Sequence, residues 1–159
     1  MSAVDLQRDD ELRDLYRELI LDHSRHPRHF GKLAAATHTA DGINPICGDK
    51  LRLYLRLDAN DQIADIAFAG SGCAISMASA SLLTDCVIGK PVPEALQYFH
   101  AVTARLTTGG DEQPDDIELG KIHALDGVRD FPARVKCATL AWHALNSAIQ
   151  NQAKPVSTE

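Results

Sequence analysis

Apolar residues recur at helical spacing near the start of the chain. Leu12, Leu15, Tyr16, Leu19 and Ile20 share one face, and Pro27 supplies a stop. The pattern predicts a helix from Asp9 to His26, with Asp9, Asp10 and Glu11 at its positive end and Arg25 and His26 at its negative end. From Lys50 to Leu57 the period changes to two: Leu51, Leu53, Leu55 and Leu57 point one way, Arg52, Tyr54 and Arg56 the other. Asp58 to Asp61 reads as a turn and Ile63 to Ala69 as the returning strand of a hairpin, with a weaker strand over Ala36 to Asp41. Beyond Gly72 the pattern is helical again. Ile75, Ala78, Leu82 and Cys86 lie on one face of a helix ending near Gly89, with Pro91 just after it. A helix from Pro93 to Thr107 follows, then an exposed loop over Gly109 to Gly120 and a short helical turn over Ile122 to Leu125. The last helix runs from Arg134 to Gln150, with Cys137, Ala141, Ala144 and Ala148 on its small face. Strands first and helices afterwards predict an α+β fold: a three-stranded antiparallel sheet with helices packed on one face.

Length and composition narrow the class. A chain of 159 residues fits one domain, with an ordered core over about 9–150 and polar ends. Its apolar fraction of 45% is enough for a core without disulfide staples. The net charge of -6 argues against non-specific binding to nucleic acid or to an anionic membrane surface. No apolar run approaches the roughly 20 residues that span a bilayer, and Met1 to Asp10 is polar, so a cytoplasmic protein is expected. Thiols stay reduced there, and four cysteines point to metal or sulfur chemistry.

Three of those cysteines sit at junctions. Cys47 lies in the turn Ile43 to Asp49, Cys73 follows Gly70-Ser71-Gly72 where strand gives way to helix, and Cys137 falls in the expected first turn of the last helix. Gly48 and Gly72 supply backbone angles that let the main chain pass close to an ion. Three thiolates with the Asp49 carboxylate form a set suited to zinc, and soft thiolates suit iron–sulfur clusters equally, so the ligand types leave the two open. Helix N-termini at Cys73 and Cys137, with Arg134 and Lys136 beside the latter, are expected to ease thiol ionisation. Cys86 reads as a small buried hydrophobe. His23, His26 and His29 are scattered by Pro27 and read as helix-end and surface histidines, His143 has no evident partner, and Asp111, Glu112, Asp115, Asp116 and Glu118 read as a solvated loop.

The motifs resemble a known family. Asn44-Pro45-Ile46-Cys47-Gly48-Asp49 is similar to the Asn-Pro-x-Cys-Gly-Asp signature of the iron–sulfur assembly proteins that include IscU, NifU and SufU. Gly70 to Ser81 resembles the second family motif, and Phe131 to Trp142 the third. Leu15-Tyr16 through Asp22-His23 to His26-Pro27-Arg28 resembles the opening helix and turn. Lys136 stands where IscU-type members carry His, no Leu-Pro-Pro-Val-Lys string is present, and the loop over Gly109 to Gly120 sits where SufU-type members carry an insertion. The resemblance therefore leans to SufU. It implies a zinc-dependent persulfide acceptor, a sulfurtransferase partner of a SufS-type cysteine desulfurase, serving downstream iron–sulfur assembly proteins. Cys47 would be the acceptor, Asp49, Cys73 and Cys137 the remaining zinc ligands, and Arg134 a supporting cation. The alternative it implies is a scaffold that builds a [2Fe–2S] cluster on the same ligands. A zinc hydrolase is disfavoured, since neither His-x-Glu nor His-Glu-x-x-His occurs.

Overall fold

The computed structural model describes residues 3–107, 117–152 and 154–158. The elements run α1 (Ala3–Arg25), β1 (His38–Asn44), β2 (Asp49–Leu57), β3 (Ile63–Ser71), α2 (Ala74–Val87), α3 (Val92–Thr107), a 3-10 helix (Gly120–Val128), α4 (Pro132–Ile149) and β4 (Val156–Ser157). The expected α+β arrangement is present. Three antiparallel strands are present as expected, although β1 runs on to Asn44, past the expected Ala36–Asp41 and into the segment read as a turn, and a fourth, two-residue strand joins them parallel to β1, giving the order β3-β2-β1-β4. Residues Asp111, Glu112, Asp115 and Asp116 of the acidic stretch lie outside the described residues. Glu118 is exposed as expected.

Register explains which side chains point inward. Ala40 pairs with Leu53, Gly42 with Leu51 and Asn44 with Asp49, while Leu53 pairs with Phe68 and Leu55 with Ile66. Period two therefore puts all of these on one face, which is buried. α4 lies against it so closely that a Cβ on Gly42 would come 3.1 Å from the Leu140 side chain. The consequence for the site is direct: at one end of this apolar face the inward row continues with two polar residues, Asn44 and Asp49, both essentially fully buried. Tyr54, expected on the polar side, is also buried between Thr39 and Ala67 of the neighbouring strands. The outer edge of β3 is covered by the segment around Phe30, which bonds Gly31 N–H to Phe68 C=O at 2.8 Å and sets its ring edge-on to Phe68.

Small residues let α2 sit in the middle of the helical layer. Ala78, Ser79, Ala80 and Ser81 are all buried, and their hydroxyls make the specific contacts. Ser79 Oγ donates to Ala138 C=O and accepts from Trp142 Nε1 at 3.1 Å, fastening α2 to α4. Ser81 Oγ accepts from Arg28 N–H at 2.8 Å and meets His23 Nδ1 at 2.7 Å, fastening α2 to the end of α1. His23 is thus a core residue, 1% exposed, and not the surface histidine the sequence leads one to expect. His26 and His29 are exposed, and His29 reaches Thr84 at 3.1 Å. His143 has a partner after all, packing edge-on against Phe99.

Two stability predictions follow from these contacts. Ser79→Ala leaves the buried Trp142 N–H without an acceptor and should lower unfolding free energy by about 1–3 kcal/mol in a denaturant titration. Burial first, and Arg28 second, hold the His23 imidazole below its ordinary 6.5. Above 6.5 both folded and unfolded chains carry it neutral. Below 6.5 the unfolded chain binds a proton that the folded chain refuses, so stability falls until the lowered folded value is passed. Acidification from about pH 7 towards pH 5 should cost up to ~1.4 kcal/mol per unit from this residue, and His23→Asn should show a shallower acid limb.

Candidate metal centre

The cluster forms where strand ends and helix starts meet. Asp49 opens β2 and faces inward by the strand's own alternation. Cys47 rides in the turn before it, closed by Cys47 N–H donating to Asn44 C=O at 3.2 Å and by Gly48 at φ +74°. Cys73 is the N-cap of α2, its Sγ accepting from Ser76 N–H at 3.4 Å. Cys137 projects from α4, whose start is preset by Pro132 at the first helical position.

These side chains converge. The Sγ atoms of Cys47 and Cys137 lie 3.3 Å apart. Ligand atoms of Cys47, Asp49 and Cys137 all fall within 4.8 Å of one another. Cys73 stands at the same site, with Sγ 4.0 Å from Asp49 Oδ2 and its N–H donating to Asp49 Oδ1 at 2.9 Å. That hydrogen bond fixes the carboxylate and leaves Oδ2 towards the sulfurs. Gly72 makes room for it, since a Cβ there would come 2.7 Å from Asp49 Oδ1. The reason for this glycine is space: its backbone is not in the left-handed region, unlike that of Gly48.

Exposure differs sharply across the set. Cys47 is exposed, Cys73 intermediate, and Cys137 and Asp49 are buried. Cys137 sits in the second turn of α4, because the helix starts two residues earlier than expected. Burial, followed by hydrogen bonding with Cys47, Asp49 and Cys73, pushes its thiol well above the ordinary range, opposite to the easing expected from a helix start. Lys136 points into a groove on another side of α4, and the Arg134 guanidinium rests 4.4 Å from the Phe131 ring centroid. Among the described residues Arg134 makes no hydrogen bond to Asp49. Cys86 lies apart at the core edge near Tyr98, and burial pushes its thiol up to about 12, in keeping with an inert hydrophobe.

The donor set fits zinc or iron–sulfur ligation. Packed donors that all carry negative charge when ionised call for a cation, and a bound metal would reverse the upward push on Cys137. The neighbourhood supplies a further sign. Asn44, which the sequence reading passed over, is fully buried and sends Nδ2 to Cys137 Sγ at 3.5 Å, while its Oδ1 has no partner among the described residues. Its position opposite Asp49 in the β1–β2 register was the available signal.

Comparison with known proteins supplies the family. The family model described as the NifU-like N terminal domain matches residues 15–138. The chain is 44% identical over 149 residues to an iron-sulfur cluster assembly scaffold protein IscU of Streptococcus pyogenes serotype M1, covering 90% of this chain and 87% of the relative. It is also 44% identical over 138 residues to the zinc-dependent sulfurtransferase SufU of Bacillus subtilis (strain 168), covering 87% of this chain and 91% of the relative. The crystal structure of FiSufU, a SUF-system protein of Fervidobacterium islandicum AW-1, superposes with a TM-score of 0.77 at 36% identity, over 83% of this chain and 94% of that one. The fold, the cysteine–aspartate cluster and these likenesses together make the chain a member of the IscU/SufU family of iron–sulfur cluster assembly proteins.

Proposed function

We propose that the chain is a zinc-dependent persulfide acceptor that takes sulfur from a SufS-type cysteine desulfurase and passes it to downstream iron–sulfur assembly proteins. The observation that carries this reading is the asymmetry of the thiols. Cys47 is exposed on a turn, whereas its sulfur neighbour Cys137 is buried in a helix 3.3 Å away. One thiol can meet a macromolecular donor while the others stay anchored. The relative from Bacillus subtilis bears the name of this activity.

The residues divide the work. Cys47, Asp49, Cys73 and Cys137 would hold the zinc, which when bound keeps thiols ionised and protected. The Cys47 thiolate attacks the outer sulfur of the donor's cysteine persulfide. A new S–S bond forms at Cys47, the donor's own S–S bond breaks, and the donor cysteine leaves as a thiolate that takes up a proton from solvent. No net oxidation occurs, because the transferred sulfur keeps its oxidation state. Asp49, fixed by Cys73 N–H, and buried Cys137 hold the rest of the site in place while Cys47 is engaged. Arg134, exposed in the first turn of α4, would be the supporting cation, leaving the Phe131 ring to meet the charge of a freed Cys47 thiolate. Free thiols require a reducing compartment, which makes the cytoplasm the expected location. No helix among the described residues is long and apolar enough to cross a membrane.

A second reading is a scaffold carrying a [2Fe–2S] cluster on the same ligands, favoured by the equal identity to the IscU of Streptococcus pyogenes. Anaerobic reconstitution separates the two: a cluster that forms and passes to an apo acceptor supports the scaffold, and one that never transfers opposes it.

Intact-mass analysis after incubation with a SufS-type desulfurase and cysteine should show one sulfur atom added to the wild-type chain and to Cys86→Ala, and none added to Cys47→Ala. Undiminished desulfurase stimulation by Cys47→Ala would remove the proposal. Gly72→Ala should keep the fold, because the Asp49 carboxylate can swing away. Competition with a chelator should nevertheless show zinc held about 10- to 100-fold more weakly, as expected when a ligand's setting is disturbed.

A further inference from the structure

A second concave site lies on the other side of α4 from the cluster. A groove of about 440 Å³ runs between the end of α3, the start of α4 and β4. Its floor is apolar, made by Leu106, Val135 and Val156. Its polar side chains include Arg129, Lys136 and His143, and no Asp or Glu among the described residues lines it. Burial holds the His143 imidazole below its ordinary range, so that residue contributes a hydrogen-bonding nitrogen and not a charge.

Among the described residues the two cations have no acidic partner. Arg129 is only partly exposed, and its Nε is fully buried without a hydrogen-bond partner among the described residues. Neither its guanidinium nor the Lys136 ammonium forms an ion pair among the described residues. The nearby Asp126 is already taken, bonded by Arg105 at 2.7 Å through both oxygens and approached by His123 at 3.2 Å. The sealed Nε is out of a ligand's reach, so it is the outer guanidinium nitrogens of Arg129 that are offered to the groove. A guanidinium fork matches a phosphate in shape, an ammonium beside it adds a second charge, and the apolar floor reduces screening by water.

We infer that this groove binds an organic phosphate monoester, with the phosphate between Arg129 and Lys136 and the apolar body against Leu106, Val135 and Val156. Such a site has the usual construction of a small-molecule pocket, an apolar bed with a few fixed polar groups. It is separate from the sulfur chemistry, since Lys136 leaves α4 in a different direction from Cys137.

Phenyl phosphate is a suitable probe. Titrated into the ¹⁵N-labelled full chain as purified, it should give saturable shifts of amides at residues 129, 135–139 and 156–158, and should bind about tenfold more tightly than inorganic phosphate. Arg129→Gln and Lys136→Gln should each weaken it about tenfold, while Lys154→Gln, a change at an exposed lysine, should not. Lys136 is the safer variant for folding, and an unchanged spectrum away from the groove checks both. Absence of saturable shifts would overturn the inference, as would equal binding by the wild type and Lys136→Gln. Benzoate binding as tightly as phenyl phosphate would overturn the phosphate assignment, and inorganic phosphate binding as tightly would overturn the role of the apolar floor.

Discussion

Sulfur atoms 3.3 Å apart, with a buried carboxylate beside them, are tolerable only in a particular charge state. Without a cation, burial first and the hydrogen bonds with its neighbours second push the Cys137 thiol up. With a cation the same proximity becomes attraction. The surrounding structure is arranged to keep the donors close despite their repulsion. The β1–β2 register places Asn44 opposite Asp49, the N–H of Cys73 holds the carboxylate, the absent side chain of Gly72 leaves it space, and the tight seating of α4 on Gly42 sets the depth of Cys137. Each is a backbone-level constraint, and none depends on a long flexible side chain.

The same frame separates a fixed part of the site from a movable part. Cys73 and Cys137 lie on α2 and α4, which are fastened together through Ser79 and Trp142, and Asp49 on β2 is tied to Cys73 N–H. Cys47 alone lies on a turn, exposed, next to a glycine in the left-handed region. A ligand set with three anchored members and one accessible thiol suits a reaction in which that thiol engages a sulfur donor and then returns. On the proposed function, metal-holding and sulfur-accepting would be two states of one residue, Cys47.

Much of this was legible in the chain. The alternation Leu51-Leu53-Leu55 identified β2 and, extended back by one step, determines that Asp49 faces inward. The three cysteine-bearing motifs named the family before any coordinates. What was not legible depends on contacts between distant segments. β4 is two residues long and leaves no periodic trace, existing only because Val156 and Ser157 find the free edge of β1. His23 looked like a surface residue because its neighbour Pro27 breaks the helix, whereas its burial is decided by Ser81 on α2. Cys137 was expected to ionise easily from a place near a helix start, whereas it lies a turn deeper in α4, where burial raises its thiol in the metal-free protein. Gly72 was recognised as necessary for the wrong reason, its role being to clear space for a carboxylate from another strand.

The central claim is that Cys47, Asp49, Cys73 and Cys137 ligate one ion together. X-ray absorption at the zinc edge of the purified chain tests it most directly. Three sulfur scatterers at about 2.3 Å and one oxygen at about 2.0–2.2 Å are expected, with the oxygen shell altered in Asp49→Ala and the sulfur shell reduced in Cys73→Ala. A shell built mainly from nitrogen or oxygen, or one indifferent to both substitutions, would contradict the account.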